Sequence, residues 1–202
     1  MGRYRIQDQH GLNYVTCTVV GWIDVFTRKQ YRDIVLDSLA FCRRGKGLQI
    51  FGYVLMSNHL HMVVQVRPEM KQGLSEVLRD FKKYTATRIL DAIMKGPESR
   101  KEWLLHLFKY FAKYNANNRE YQFWQQDNHP IALYSPAVIW QKLDYIHANP
   151  VRNGLVDCAE DYVYSSARNY LRDNKNCPME VDLLETLPPT GAGYVYVPLE
   201  FK

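Results

Sequence analysis

Two apolar segments separated by two turn-forming residues constrain the fold most strongly. LQIFGYVLM (48–56) and HLHMVVQV (59–66) flank Ser57-Asn58. Both segments are rich in the β-branched and aromatic residues that strands favour, and Ser and Asn are common in turns. The pattern predicts a β-hairpin, with two adjacent antiparallel strands.

The elements around this hairpin predict an α+β fold. A strand is expected at 12–20, and a fourth strand within 120–134, ended by Pro130. Helices are expected at 28–47, at 73–93 with Ser75 as N-cap, and at 101–118. A last helix is expected at 135–150, with Ser135 as cap and Pro150 just beyond its end. This order matches the ferredoxin-like βαββαβ arrangement, an antiparallel sheet with helices on one face, plus an inserted and a trailing helix. Such a sheet leaves its other face free for a ligand or another element. Residues 1–172 are predicted to form this domain and 173–202 a C-terminal tail.

Composition narrows the compartment and the partners. No apolar run approaches the roughly 20 residues that span a bilayer, so no membrane partner is expected. The N-terminus lacks the apolar region of a secretory signal. The cysteines show no metal-binding spacing and are expected to be reduced in the cytoplasm; they are Cys17, Cys42, Cys158 and Cys177. The net charge of +5 divides into −3 on residues 173–202 and +8 on the rest, which permits a nucleic-acid partner without requiring one.

His59 and His61 lie one residue apart in the second strand of the hairpin. Because successive strand residues point to opposite faces, both rings share one face, whereas Leu60 and Met62 point to the apolar core. Two such rings can bind one divalent ion, or they can be half-exposed histidines without a ligand. Two histidines are too few for a closed zinc site. An open site completed by oxygen donors suits Mg²⁺ or Mn²⁺.

The trailing helix carries a second group of polar residues. Tyr145 and Asn149 are four residues apart and therefore share a helical face, whereas His147 projects away from it. The amide oxygen of Asn149 can ligate a hard cation. A tyrosine is a weak nucleophile at its reference pKa of about 10, but a nearby divalent ion could activate it. The alternative is that Tyr145 and Asn149 only pack the helix.

Five motifs, in order, resemble the HUH single-tyrosine transposases, in particular the branch associated with repetitive extragenic palindromes. They are His59-Leu60-His61, FKKYT (81–85), FWQ (123–125), YIHANPVRNGLV (145–156) and DYVYSS (161–166). The resemblance covers residues 10–172. It implies a ferredoxin-like or RRM-like enzyme that cleaves single-stranded DNA beside hairpins.

The same resemblance assigns roles to individual residues. By motif position, Tyr145 is the nucleophile, and His59, His61 and Asn149 are the metal ligands. The implied product is a 5′-phosphotyrosine with a free 3′-hydroxyl. Tyr84 is a rival nucleophile by residue type alone, for which packing or DNA contact is the preferred interpretation.

Basic residues near aromatic ones are candidates for DNA contact, because lysine and arginine bind phosphates. They are Arg43, Arg44, Lys82, Lys83, Arg88 and Arg152, of which Arg152 ranks first because it follows the tyrosine helix. The expected partner is a hairpin-bearing single strand, with the protein a monomer or a homodimer. Two alternatives remain: a non-catalytic nucleic-acid-binding module, and a metal phosphodiesterase that uses water.

Overall fold

The computed structural model describes residues 5–114, 120–171 and 177–184. Its strands are β1 (Asn13–Thr18), β2 (Leu48–Leu55), β3 (His59–Val66) and the short β4 (Ile131–Ala132). Its helices are α1 (Lys29–Lys46), α2 (Leu74–Lys95), α3 (Lys101–Ala112), α4 (Pro136–Arg152) and α5 (Ala167–Leu171). Among the described helices, none has both the length and the apolar character needed to cross a membrane.

The strands form one antiparallel sheet in the order β2-β3-β1-β4. This order confirms the predicted ferredoxin-like fold. β1 and β3 are central, and their register places His61 opposite Thr16 and His59 opposite Thr18. Both histidines therefore lie in the middle of the sheet's width, at the end of β3 that follows the hairpin turn.

One face of the sheet carries the larger core. Leu60, Met62, Val64 and Val66 are fully buried there, as the strand alternation predicts, and pack with apolar residues of α1, α2 and α3. Each of these helices has one apolar face, which packs into this core. Burial of the side chains on these faces is the main stabilising contribution to the fold.

The other face is covered by α4, which packs on β2 and β3. Trp140, Leu143 and Ile146 form a second core with Val54 and Val63 of the sheet. The trailing helix thus fills the face that the sequence pattern left free, and it brings its polar stripe next to the two histidines.

Helix boundaries depart from the prediction at several points. α3 ends at Ala112, before the predicted end at 118. α2 begins at Leu74 with Gly73 as N-cap, and the exposed Ser75 makes no cap; instead Gln9 Oε1 accepts a hydrogen bond from the Ser75 backbone N–H at 2.9 Å. Pro150 lies within α4, which continues to Arg152. Pro150 has no N–H to donate within the helix, and α4 ends two residues later.

The predicted fourth strand is shorter and later than expected. β4 follows Pro130 instead of ending at it. Upstream, the chain runs beside β1 through separate hydrogen bonds, from Thr16 N–H to Asn128 O at 2.8 Å and from Gln125 N–H to Thr18 O at 2.8 Å. This segment therefore covers the edge of β1 without forming a regular strand. Pro130 interrupts the pairing because proline has no N–H to donate to a neighbouring strand.

Part of the predicted tail contacts the domain. Met179 is buried in the larger core, and the backbone N–H of Asp182 donates to Ile50 O at 2.8 Å. The rest of the predicted tail, 173–176 and 185–202, and the end of the predicted third helix, 115–118, lie outside the described residues.

Candidate catalytic and metal-binding site

Three aromatic rings meet where α4 crosses β3. The ring centroids of His59 and His61 are 4.6 Å apart, and those of His61 and Tyr145 are 5.5 Å apart. The Tyr145 ring contacts His61 and, at 37% exposed, is still open to a ligand. The structure therefore brings together His61 and Tyr145, which are 84 positions apart in the chain.

One ring nitrogen of each histidine is held by an oxygen atom. His59 Nδ1 lies 2.6 Å from Asn58 Oδ1, which can only accept, so this nitrogen carries the proton. His61 Nδ1 lies 2.8 Å from both the Tyr14 and the Thr16 hydroxyl oxygens. A hydroxyl can accept from Nδ1–H, and in that tautomer Nε2 carries the lone pair that a metal ligand needs.

Both histidines are held in their neutral form. Burial lowers the pKa of His59, and burial, the neighbouring His59 and the charge of Lys142 lower the pKa of His61 to about 3. Neutral imidazole is the form that binds a divalent cation. The hydrogen-bond partners of Nδ1 and the neutral state of the rings together make His59 and His61 suitable metal ligands.

Tyr14 is a site residue that the sequence patterns did not single out. Its ring stacks on His61 at a centroid distance of 5.5 Å and meets Tyr145 edge-on at 6.3 Å. Burial raises its pKa, so the hydroxyl stays protonated. Only its position in the sheet marks it: Tyr14 lies on β1 next to Thr16 on the histidine face.

Asn149 lies one turn after Tyr145 on α4 and is buried. Its side-chain Oδ1 accepts a hydrogen bond from Asn153 Nδ2 at 3.1 Å. Within the described part of the chain, no group of three or more His, Cys, Asp or Glu side chains could hold a metal. Asn149 remains the predicted third donor, on the same helix as Tyr145. His147 is fully buried and hydrogen-bonds Ser166 Oγ at 2.8 Å, away from the site.

Two cations flank Tyr145 along α4. The Arg152 guanidinium lies 5.4 Å from the centre of the Tyr145 ring, and the Lys142 ammonium lies 5.0 Å from the centre of the Tyr14 ring. Lys142, Tyr145, Asn149 and Arg152 form one helical stripe, because their spacing follows the helical repeat. Arg152 was predicted from the sequence; Lys142 was not, although its place three residues before Tyr145 was a usable signal.

The other predicted DNA-contacting residues belong to the helices on the opposite face of the sheet. Arg44, Lys83 and Arg88 are exposed there. Arg43 pairs with Asp182 at 3.3 Å. Lys82 Nζ donates to Asn128 Oδ1 at 2.7 Å and to the Gln125 and Gln126 carbonyl oxygens, so its ammonium holds the segment beside β1.

Tyr84, the rival nucleophile, lies on α2 and is 56% exposed. It lines a groove of about 480 Å³ between α1 and α2, with Phe41 and Arg88. The sheet separates this groove from His59 and His61. The two tyrosines that the sequence offered thus occupy different faces, and Tyr145 is the one beside the histidines.

A family model supports the resemblance recognised from the motifs. Residues 23–122 match the family described as "Transposase IS200 like" (Y1_Tnp). The matched segment contains both histidines and ends before α4. No curated protein matches the chain significantly.

Solved structures that are similar to this chain include two transposases. "Structure of the REP associates tyrosine transposase bound to a REP hairpin" is 19% identical, covers 85% of this chain and 86% of that one, and superposes with a TM-score of 0.60. A putative transposase from Deinococcus radiodurans is 16% identical over 72% of this chain and 94% of that one, with a TM-score of 0.41. The first likeness shows a shared fold over most of the chain.

Proposed function

We propose that this chain, a relative of the IS200-like transposases over residues 23–122, is a metal-dependent enzyme that cuts and rejoins single-stranded DNA through Tyr145. The contact of the Tyr145 ring with His61, at a centroid distance of 5.5 Å, carries the proposal. A nucleophile must lie within reach of the ion that activates it. Tyr145 is the tyrosine that meets this condition and is also open to a ligand.

His59, His61 and Asn149 would hold Mg²⁺ or Mn²⁺, with the imidazole Nε2 atoms and the amide oxygen as donors. When bound, the cation polarises the scissile phosphodiester and favours ionisation of a nearby hydroxyl. Tyr14, Thr16 and Asn58 keep the two imidazoles in orientation through Nδ1. Such outer contacts typically change metal affinity by about 10- to 100-fold.

In the reaction, Tyr145 Oη loses its proton and attacks the phosphorus atom. The new bond is phosphorus to Tyr145 oxygen, and the broken bond is phosphorus to the 3′-oxygen, which leaves with a proton. The products are a 5′-phosphotyrosine and a free 3′-hydroxyl. Because one phosphoester replaces another, a second 3′-hydroxyl can reverse the step without an energy source. This chemistry suits strand transfer.

The substrate of the proposal is a hairpin-bearing single strand. The net charge of +5 and the cations Lys142 and Arg152 beside the tyrosine favour a polyanion. A structurally similar transposase is bound to a REP hairpin, so a hairpin formed by a palindromic repeat is the first substrate to test.

The test uses a labelled hairpin-bearing single strand with Mn²⁺ or Mg²⁺. We expect a protein–DNA adduct that survives denaturation, lost in Tyr145→Phe and kept in the matched control Tyr84→Phe. Cleavage that persists in Tyr145→Phe would contradict the proposal and favour attack by water. Binding without cleavage in either metal would favour a non-catalytic nucleic-acid-binding module.

A further inference from the structure

Trp22 lies at the mouth of the site without contributing to the core. It ends a short turn, Val20–Trp22, between β1 and α1. Its side chain is 61% exposed, and its ring meets the edge of His59 at a centroid distance of 5.8 Å and an interplanar angle of 73°. A large flat apolar surface is therefore open to solvent next to a proposed metal ligand.

The backbone of Trp22 does not favour a tryptophan. Its φ is 56°, in the left-handed region that is strained for a residue with a side chain. Glycine adopts this conformation freely, and the preceding Gly21 does so at φ 60°. Neither core packing nor backbone geometry accounts for an indole here, and such strain often accompanies a functional role.

The turn is fixed relative to the histidine. Asn58 Nδ2 donates to Trp22 O at 3.0 Å, while Asn58 Oδ1 accepts from His59 Nδ1 at 2.6 Å. A Cβ on Gly21 would lie 2.6 Å from the Phe111 ring, so the turn packs closely on α3. One asparagine thus ties the indole and the imidazole together, and the distance between them is set by the fold.

We propose that Trp22 is a base-binding residue, on which the unpaired nucleobase next to the scissile phosphate stacks. This inference rests on the proposed function, because the phosphate would be held at His59 and His61. A nucleotide's base is linked to its phosphate through one sugar, which puts the base within reach of an aromatic surface beside His59. Every base has a π face, so stacking positions the strand without reading its sequence.

The experiment measures the affinity of the full chain for single strands that carry one abasic nucleotide, moved position by position along the unpaired region. With the unaltered protein, one position next to the cleavage point is expected to weaken binding by about five- to a hundredfold. Trp22→Ala should lose a similar factor on the intact strand and show no further loss at that position. Trp22→Phe should retain most of the affinity.

The matched control is Trp103→Ala, because Trp103 is also exposed, at 50%, but lies on α3. It should keep the affinity and abasic profile of the unaltered protein. Trp22→Gly separates stacking from folding: it relieves the backbone strain, so its thermal midpoint should equal or exceed that of the unaltered protein while its affinity falls.

Two results would overturn the assignment. The first is a Trp22→Ala variant with unchanged affinity and abasic profile. The second is a Trp22→Ala variant that loses the same factor of affinity on every strand and is still weakened further by the abasic nucleotide at the sensitive position. If the Tyr145-dependent adduct forms in either case, the proposed function stands and only the base-binding role fails. If no adduct forms with the unaltered protein, the proposed function fails, while the abasic series still reports on stacking.

Discussion

At the scale of single residues, the site depends on a buried polar arrangement around His61. Burial would make an unpaired imidazole costly, and the hydroxyls of Tyr14 and Thr16 satisfy its Nδ1. The ammonium of Lys142 lies over the Tyr14 ring and contributes to lowering the pKa of His61. Within the described residues, Lys142 makes no hydrogen bond or ion pair, so its charge is available to a phosphate.

Lys142→Gln should weaken DNA binding about tenfold, because it removes one charge-assisted phosphate contact. Affinity is measured over a range of salt concentrations. The slope of log affinity against log salt should fall by about one, since one fewer counterion is released.

Lys109→Gln is the control for this change, because Lys109 is an exposed lysine on α3 and the charge difference is the same. It should alter the slope far less. Equal slopes in the two variants would show that Lys142 contributes only to the general charge of the protein.

At the scale of elements, the position of α4 depends on one glycine in β2. A Cβ on Gly52 would clash with Leu143 of α4. The sheet also has an irregularity here, between Ile50 and Gly52. The absence of a side chain lets α4 lie close to the sheet, and this close approach keeps Tyr145 in contact with His61.

Gly52→Ala is expected to destabilise the fold by about 1–3 kcal/mol through overpacking, and to slow adduct formation by displacing α4. The measurements are denaturant unfolding and the rate of adduct formation. The double variant Gly52→Ala/Leu143→Ala should be more stable than the sum of the two single changes predicts, because the second change removes the clash.

Gly45→Ala is a control that should change the free energy of unfolding in the opposite direction. Gly45 lies inside α1, and the atoms nearest to a Cβ there belong to Phe41, at 3.5 Å or more. Alanine in a helix interior is more stable than glycine by about 0.5–1 kcal/mol. If both alanine variants shifted stability in the same direction, the close approach of α4 at Gly52 would not be the cause.

At the scale of the whole molecule, the sheet separates two surfaces. The proposed chemistry lies on the α4 face, whereas the exposed cations Arg44, Lys83 and Arg88 lie on the face of α1 and α2. A short single strand of DNA cannot contact both faces of the sheet at once.

A buried charge in the connection between α2 and α3 pairs with residues at the start of α1 and of α3. The Glu98 carboxylate, with its side chain only 1% exposed, pairs with Arg28 at 2.9 Å and Arg100 at 3.6 Å and accepts from the Tyr31 hydroxyl at 3.0 Å. Burial alone raises its pKa, but the Arg100 backbone N–H, the Tyr31 hydroxyl and the two arginine charges outweigh burial. Its pKa is therefore lowered.

A lowered carboxyl pKa makes stability depend on pH. The unfolded chain takes up the proton first as pH falls, so the contribution of Glu98 is complete above the ordinary pKa of about 4.5 and is lost as pH falls through the lowered value. Glu98→Gln should destabilise the protein by about 1–3 kcal/mol at pH 7, and the difference should shrink in unfolding experiments below pH 4.5.

Asp33→Asn is the control, because Asp33 forms only an exposed pair with Lys29 at 2.6 Å. Such pairs contribute about 0–1 kcal/mol. A Glu98→Gln difference that stayed constant from pH 7 to pH 3 would contradict the role of the buried charge.

The sequence alone determined the types of element and the types of residue in the site. Alternation in β3 separated His59 and His61 from the core face, and helical spacing put Tyr145 and Asn149 on one side of α4. Those inferences succeed because the two-residue and 3.6-residue periods are properties of the local backbone. The sheet order followed from the order of the elements, which matches the ferredoxin-like arrangement. Helix ends depended on contacts such as that of Gln9 with Ser75.

Only the tertiary structure decided which residues meet. Tyr14 and Thr16 reach His61 through strand register, Lys142 reaches the Tyr14 ring because α4 crosses the sheet, and Trp22 reaches His59 through Asn58. No local period encodes these contacts, because each joins segments far apart in the chain. They depend on how closely two layers can approach, and that distance is set by side-chain volumes such as the missing Cβ of Gly52.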